Sequence, residues 1–353
     1  RKNETSDAFW VPMTSPSRDG IELVGQDGTT VMSYLWNLDY VSDPNHVQLI
    51  EEDTVAIVSS RITNSVLRIR LGTSAHDSVI EWIMNGHNST VELYDEFGTL
   101  YKGGNSPDWL FESQHNAEYM GDDLIYLVDD AERDTALGKG IASSKLNASS
   151  VMIIRVKNST ESGDYVGRVV WRYDLGVEMG IYGDFDKLFT GNALAAYWNQ
   201  HPATAYIDAQ AFVEEITMDK EVAWSAHIYG NNTMKGGQGM EGDVMNGWRI
   251  YSAERFYERP TISHITCDDS AAKNAWVTFK VHNNFRENNL KPGRYSVTSS
   301  NGDHTTSGTF NFHPYWSDND LEVSVKGANV ECDGLVIEVT NHFNQSTSKT
   351  VKG

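Results

Sequence analysis

The sequence predicts a mostly β, multi-domain protein of antiparallel β-sandwiches. Three observations carry this. Apolar and polar residues alternate with period two through most of the chain. Turn formers cluster between the alternating runs. The 353 residues, 11% of them aromatic, suffice for two or three domains with well-sized cores. In the first two thirds, strands are expected at Val55–Ile62, Val66–Leu71, Val79–Met84, Val91–Tyr94, Leu124–Val128, Val151–Val156, Val166–Tyr173, Val222–Tyr229 and Trp248–Tyr257. Asn85-Gly86, Phe97-Gly98, Gly103-Gly104-Asn105-Ser106-Pro107 and Asn246-Gly247 punctuate them. Glu22–Val31 and Glu92–Tyr101 share Glu, Leu, Gly and Thr in register. Each reads as a strand, a turn and a strand. A true repeat should extend beyond one hairpin, so shared hairpin chemistry is the better account.

One stretch departs from period two. Residues 184–199 place Ala and Leu at helical spacing, with Asp184 as a cap and Pro202 past the end, which predicts a small helical insertion. Gly191 and Asn192 leave room for two short pieces. Ala205–Ile216 fits either period. After Arg259-Pro260, seven strands are expected: Thr261–Cys267, Ala275–Val281, Gly293–Thr298, Thr306–Phe312, Leu321–Lys326, Leu335–Asn341 and a short one at Lys349–Val351. That density predicts an immunoglobulin-like sandwich. The expected organisation is an N-terminal β domain at 1–175, a mixed segment with a long Gly-rich loop at 176–259, and the sandwich at 260–353.

Charge narrows the partners. There are 28 basic and 49 acidic residues, a formal net charge of −21. Such a field repels nucleic-acid backbones and anionic membrane surfaces, so nucleic acid is not an expected partner. No apolar run approaches the ~20 residues a membrane helix needs, so the chain as given is not expected to insert in a membrane. The opening RKNETSDAFW is already polar, which leaves open a leader cleaved before it and an anchor removed after Val351-Lys352-Gly353.

Six acceptor sequons occur, at Asn3, Asn88, Asn147, Asn158, Asn231 and Asn344, most of them in polar, turn-like stretches that accommodate a glycan. Only Cys267 and Cys332 are present, which in an extracellular chain predicts one bridge. Both signals point to a secreted glycoprotein at the cell surface.

Catalytic signatures are thin. Gly237-Gln-Gly-Met-Glu-Gly242 matches the dinucleotide fingerprint, but six residues, Gly230 to Lys235, separate its Gly-rich stretch from the preceding strand, and a turn follows it where a helix should open. Gly230–Gly247 therefore reads as a long exposed loop without a nucleotide. There is no H-E-x-x-H and no G-x-S-x-G. No enzyme activity and no organic cofactor are expected. Among many acidic pairs, Asp129, Asp130, Glu132 and Asp134 form the densest cluster, and calcium is the ion such carboxylates on a loop would hold. Asp108-Trp109, Tyr197-Trp198-Asn199 and Tyr315-Trp316-Ser317-Asp318 resemble sugar-stacking platforms, although such residues more often form sandwich core or rim.

Acidity, sequons, the sandwich-like C-terminal third and the missing catalytic constellation together resemble cell-envelope glycoproteins of archaea, of the surface-layer or sheath type. The resemblance is architectural and carries no functional residue across. It implies a structural protein whose partner is itself, assembling into a layer, sheath or filament, with glycans as further partners. Two alternatives stand beside it: a secreted carbohydrate-binding or carbohydrate-active β protein, and a receptor or viral surface ectodomain.

Overall fold

In the computed structural model, which describes residues 8–14, 19–25, 27–37, 39–73, 77–101, 109–130, 149–159, 164–177, 179, 181–199, 207–229, 233–234, 245–271, 274–327 and 330–352, every regular element is a strand. The chain divides into two units, Arg1–Glu254 and Arg255–Gly353.

The first unit opens with a three-stranded antiparallel meander, β1 (Ala8–Thr14), β2 (Asp19–Gly25) and β3 (Thr30–Trp36). A four-stranded meander follows: β4 (Pro44–Ile50), β5 (Val55–Ser60), β6 (Ser65–Arg70) and β7 (Val79–Met84). Ile21, Tyr34 and Trp36 of the first sheet pack with Leu49, Ala56, Val58, Leu67, Ile69 and Ile83 of the second. β5 is buried at every position. A strand covered on both faces has no solvent side, so VAIV runs apolar without alternating.

The turn after β7 shows how the unit satisfies its interior backbone. Asn85, buried and left-handed at φ 66, donates through Nδ2 to the carbonyls of Asn64 (2.7 Å) and Phe111 (2.9 Å). Its Oδ1 accepts the Leu110 N–H at 3.0 Å. Asn85→Ala leaves three backbone groups without this partner and puts a Cβ-only residue where Asn is tolerated. We expect a loss of about 2–3 kcal/mol, read as a lower urea midpoint with unchanged m-value; an unshifted midpoint refutes the account.

A third sheet runs β10-β11-β12-β13-β8-β9, from β8 (Val91–Tyr94), β9 (Leu100–Tyr101), β10 (His115–Tyr119), β11 (Leu124–Asp129), β12 (Ser150–Asn158) and β13 (Tyr165–Asp174). It is antiparallel except that β13 pairs β8 in parallel. Both look-alike stretches, Glu22–Val31 and Glu92–Tyr101, form hairpins: β2 turns into β3 and β8 into β9.

The fourth sheet overturns the helical expectation. Residues 184–199 are two antiparallel strands, β14 (Asp184–Lys187) and β15 (Ala193–Asn199). They are joined by a turn in which Leu188 N–H donates to the Asn192 carbonyl at 2.8 Å and Gly191 adopts φ +87. β15 is buried from Ala193 through Trp198. Both its faces are covered, so Ala and Leu fill it without a period-two signal, and helical spacing there is coincidental. β16 (Ile207–Ile216) resolves the next ambiguity as strand, and β17 (Val222–Ile228) returns beside it. The Gly-rich stretch contributes two short strands, β18 (Thr233–Met234) and β19 (Met245–Gly247), the latter parallel to the start of β16; the rest of that loop lies outside the described residues. The strand expected at Trp248–Tyr257 does not form. Its backbone is held singly instead: the Tyr251 carbonyl accepts Gly183 N–H, and Ala253 N–H donates to Asp184. Among the described residues no strand pairs with this stretch, so its residues form no ladder.

In the second unit all seven expected strands are present, as β20 (Thr261–Ala271), β21 (Asn274–His282), β22 (Lys291–Thr298), β23 (Thr305–Phe312), β24 (Asn319–Lys326), β25 (Val336–Thr340) and β26 (Ser346–Thr350). They form two antiparallel sheets, β20-β21-β24 and β23-β22-β25-β26. Val277, Phe279, Val281, Val323 and Val325 from one sheet meet Val297, Phe312, Ile337 and Val339 from the other in a single core. Alternation makes β21, β24 and β25 readable, because each has one core face and one wetter face. Cys267 and Cys332 are joined as a disulfide and pack against this core. No helix among the described residues is long and apolar enough to cross a membrane.

Candidate functional site

Two of the four carboxylates expected to hold calcium fall among the described residues. Asp129 closes β11 and is buried, its Oδ1 accepting Glu112 N–H at 3.0 Å and its Oδ2 lying 3.7 Å from Arg172 Nη2. Asp130 is fully buried and sets Oδ2 2.5 Å from His115 Nδ1. Both carboxylates thus point inward, at protein cations and donors. Glu132 and Asp134 lie outside the described residues. Among the described residues no group of three or more His, Cys, Asp or Glu is arranged to hold a metal ion.

The His115–Asp130 pair belongs to a polar seam along β10. His46 Nε2 lies 2.7 Å from Glu118 Oε1, Asn116 donates to Asp184, and Gln48 exchanges two hydrogen bonds with the Tyr119 backbone. Buried polar groups must be paired, and here the partners come from β4, β14 and the residue after β11. That is why β10 reads as loop in sequence: HNAEY has no apolar face, and its partners lie far along the chain.

Of the aromatic pairs, Tyr197, Trp198 and Trp316 are buried, and so are structural. Trp198 donates Nε1–H to the Ile181 carbonyl at 2.6 Å, with the Arg249 guanidinium 4.5 Å over its ring. Burial holds the Arg249 guanidinium below its ordinary value.

The surface that stands out is the β16–β17 hairpin. Its turn is closed by Thr217 N–H to the Glu221 carbonyl at 2.8 Å, and Trp171 Nε1 anchors it on the Met218 carbonyl at 2.9 Å. Register places Trp198, Ala211 and Ile228 in one row across β15–β16–β17, with Ala196, Val213 and Ala226 in the next. The opposite face carries Tyr197 stacked on Phe212 at 5.0 Å and His227 edge-on to Phe212 at 4.6 Å. Burial, then the hydrogen-bonded Glu214 carboxylate, push the Tyr197 phenol far up, so it stays a proton donor. Glu214 and Glu215 of β16 are themselves buried, and Asn192 Nδ2 donates to Glu215 at 2.7 Å.

β17 itself is exposed along nearly its whole length. Val222 is 45% exposed, Trp224 47% and Ile228 41%, with Tyr229 just beyond at 75%. It carries no charged residue in a chain of net charge −21. Among the described residues it pairs with β16 alone. An apolar, uncharged edge is a ready template for another strand, and proteins usually blunt such edges. Several other edges are blunted: β20 is bulged twice, β26 carries Lys349, and β9 and β18 are two residues long; β23 is also uncharged and regular, but its solvent-facing positions are threonines, a serine and an asparagine. β17 has one bulge, opposite Glu215 and Ile216 at its start, which leaves Trp224 to Ile228 in regular register.

Three sequons fall among described residues, and Asn88, Asn158 and Asn344 are all exposed. Asn3, Asn147 and Asn231 lie outside them. No protein-family model matches this chain, and no curated protein matches it.

Proposed function

We propose that this chain is a secreted structural glycoprotein of the cell surface whose copies assemble into a layer, sheath or filament, joined in part through the edge of β17. The observation that carries the reading is the apolar, chargeless edge just described. Two β17 strands from neighbouring copies can pair antiparallel about Ala226, which sets Trp224 against Ile228 twice on one face and Ser225 against His227 on the other. Aromatic–β-branched cross-strand pairs contribute about 0.2–1 kcal/mol each, in addition to the main-chain hydrogen bonds of the new ladder. Identical acidic chains repel, and at physiological salt the screening length is about 8 Å, so a contact without net charge is the one they make at least cost. Such a two-fold contact yields pairs, and a polymer needs a second contact. The immunoglobulin-like reading of residues 260–353, supported by seven strands in sheets of three and four, makes that unit the candidate for it.

The disulfide supports an oxidising compartment. Divalent cations act as tuners of strength, screening the acidic surface between copies. The test is electron microscopy of native material, with light scattering at fixed ionic strength before and after calcium chelation. We expect ordered polymers whose scattering falls on chelation. Polymers indifferent to chelation remove the role of the cation. A monomer at high concentration with and without calcium overturns the proposal and favours the carbohydrate-binding alternative.

A further inference from the structure

The sequon Asn344-Gln345-Ser346 sits on a turn that is held unusually well for a surface loop. Asn341, buried at its base, accepts Phe343 N–H (2.9 Å) and Gln345 N–H (3.0 Å) on Oδ1, and donates Nδ2–H to Gln345 Oε1 at 2.9 Å and Asn284 Oδ1 at 2.8 Å. Asn344 stands at the tip, exposed, with φ 62. Its side chain is oriented from outside the turn: Arg294 Nη2 donates to Asn344 Oδ1 at 2.9 Å. The sequon's hydroxyl is engaged as well, Ser346 Oγ lying 2.8 Å from Thr340 Oγ1.

Arg294 and Thr340 share a second feature. With Ser296, Ser307, Thr309 and Glu338 they line an open depression of about 340 Å³ on the outer face of β22, β23 and β25. The depression lies where neighbouring outer-face positions of β22 and β23, Ser296, Ser307 and Thr309, carry short hydroxyl side chains. Its wall is hydroxyls, one guanidinium and one carboxylate, the donor and acceptor set that meets sugar hydroxyls. Asn344 and Ser346 of the sequon are thus hydrogen-bonded to Arg294 and Thr340, two residues of the wall of this open depression. Asn88 differs, since its Nδ2 donates to the Asp39 carbonyl at 2.8 Å.

From this geometry we infer that Asn344 carries an N-linked glycan, and that its first sugars lie in the depression beside Arg294 and Thr340. The inference rests on the secreted-glycoprotein reading. The modification needs a glycosyl donor activated as a lipid-linked phosphate or diphosphate, with the transferase of the secretory route. The bond from the sugar's anomeric carbon to the phosphate oxygen breaks, and the bond from that carbon to Asn344 Nδ2 forms. The phosphate leaves with the electron pair, and the amide proton goes to solvent. Nδ2 keeps one hydrogen and Oδ1 is untouched, so the Arg294 contact survives modification and continues to aim the glycan at the depression. A sugar seated there also covers the outer face of this sheet, keeping that face of the second unit out of contacts between copies.

Glycopeptide mapping of the native protein tests the site, and timed endoglycosidase release from the folded protein tests the seat. We expect sugar on Asn344 and its loss in Ser346→Ala, which keeps the asparagine. Release from Asn344 should be about tenfold faster in Arg294→Ala, the effect of losing roughly one hydrogen-bonded contact. Release from Asn88 or Asn158, where modified, should not change. Sugar on Asn88 or Asn158 with none on Asn344 overturns this inference and leaves the secreted reading standing. No sugar on any sequon overturns both. Sugar on Asn344 released equally fast from both proteins overturns the seat.

Discussion

Ile228→Lys is expected to reduce the assembly to species no larger than its second contact allows, while the protein stays folded. Ile228 is 41% exposed on β17, so a lysine there reaches water and the cost to the fold should be within about 0.5 kcal/mol. In the proposed two-fold pairing each Ile228 lies opposite Trp224 of the other copy, so one substitution spoils both pairs and puts two charges in the new ladder. Lysine on an edge strand is the commonest natural deterrent to such pairing. The sign of the charge makes the result diagnostic. Each lysine moves the net charge from −21 towards zero, so repulsion between copies falls. Loss of assembly then reports the edge itself. Phe97→Lys is the control: Phe97 is 86% exposed in the turn between β8 and β9, the charge change is identical, and assembly should persist. Sedimentation velocity on the three proteins decides the matter. Assembly that survives in Ile228→Lys, or fails equally in Phe97→Lys, refutes the assignment of β17.

What the sequence disclosed depended on where each strand's faces point. Most of the C-terminal strands alternate because they have one face in the core formed by Phe279, Val297 and Ile337, and alternation is a local signal. β15 has no wet face, so ALAAYW carries no period of two and its spacing predicts helix instead. β10 failed in the opposite way, since its buried side chains are polar and their partners, such as Gln48 and Asp184, lie about 70 residues away. The candidate sites divide along the same line. Sequons are local and were legible. That Asp129 faces Arg172 and Asp130 faces His115 follows from strand pairing alone, and spacing in sequence suggested a loop instead. The alternation in VAWSAHI predicts a strand at β17. Its exposure on both faces is a property of what lies beside it, which the residues of the strand do not encode. The Arg294–Asn344 contact spans 50 residues and had no local trace.

Removing the bridge in Cys267→Ala/Cys332→Ala should lower the stability of the second unit by about 4 kcal/mol and leave the first unit unchanged. The cysteines are 65 apart in sequence, so in the unfolded chain the bridge closes a long loop and removes much of its freedom. On the chain-entropy model a loop of this length contributes roughly 4 kcal/mol, within the 2–5 kcal/mol range typical of small secreted domains. The bridge ties β20 to the connection between β24 and β25. Asp269 Oδ2 accepts Cys332 N–H at 2.9 Å and Leu335 donates to the Cys332 carbonyl at 3.3 Å, so the native backbone stays placed without the sulfurs. The loss should therefore come through the unfolded state, with native structure retained. For a domain of this size each kcal/mol moves the midpoint by about 4–8 °C, so a shift of roughly 15–30 °C is expected. Calorimetry of the whole chain should show two transitions, one for each unit, and the variant should move one of them only. Dithiothreitol added to the unsubstituted protein should move the same transition by a similar amount. Transitions that stay in place under both treatments would show that packing of the sandwich core holds this unit without the bridge.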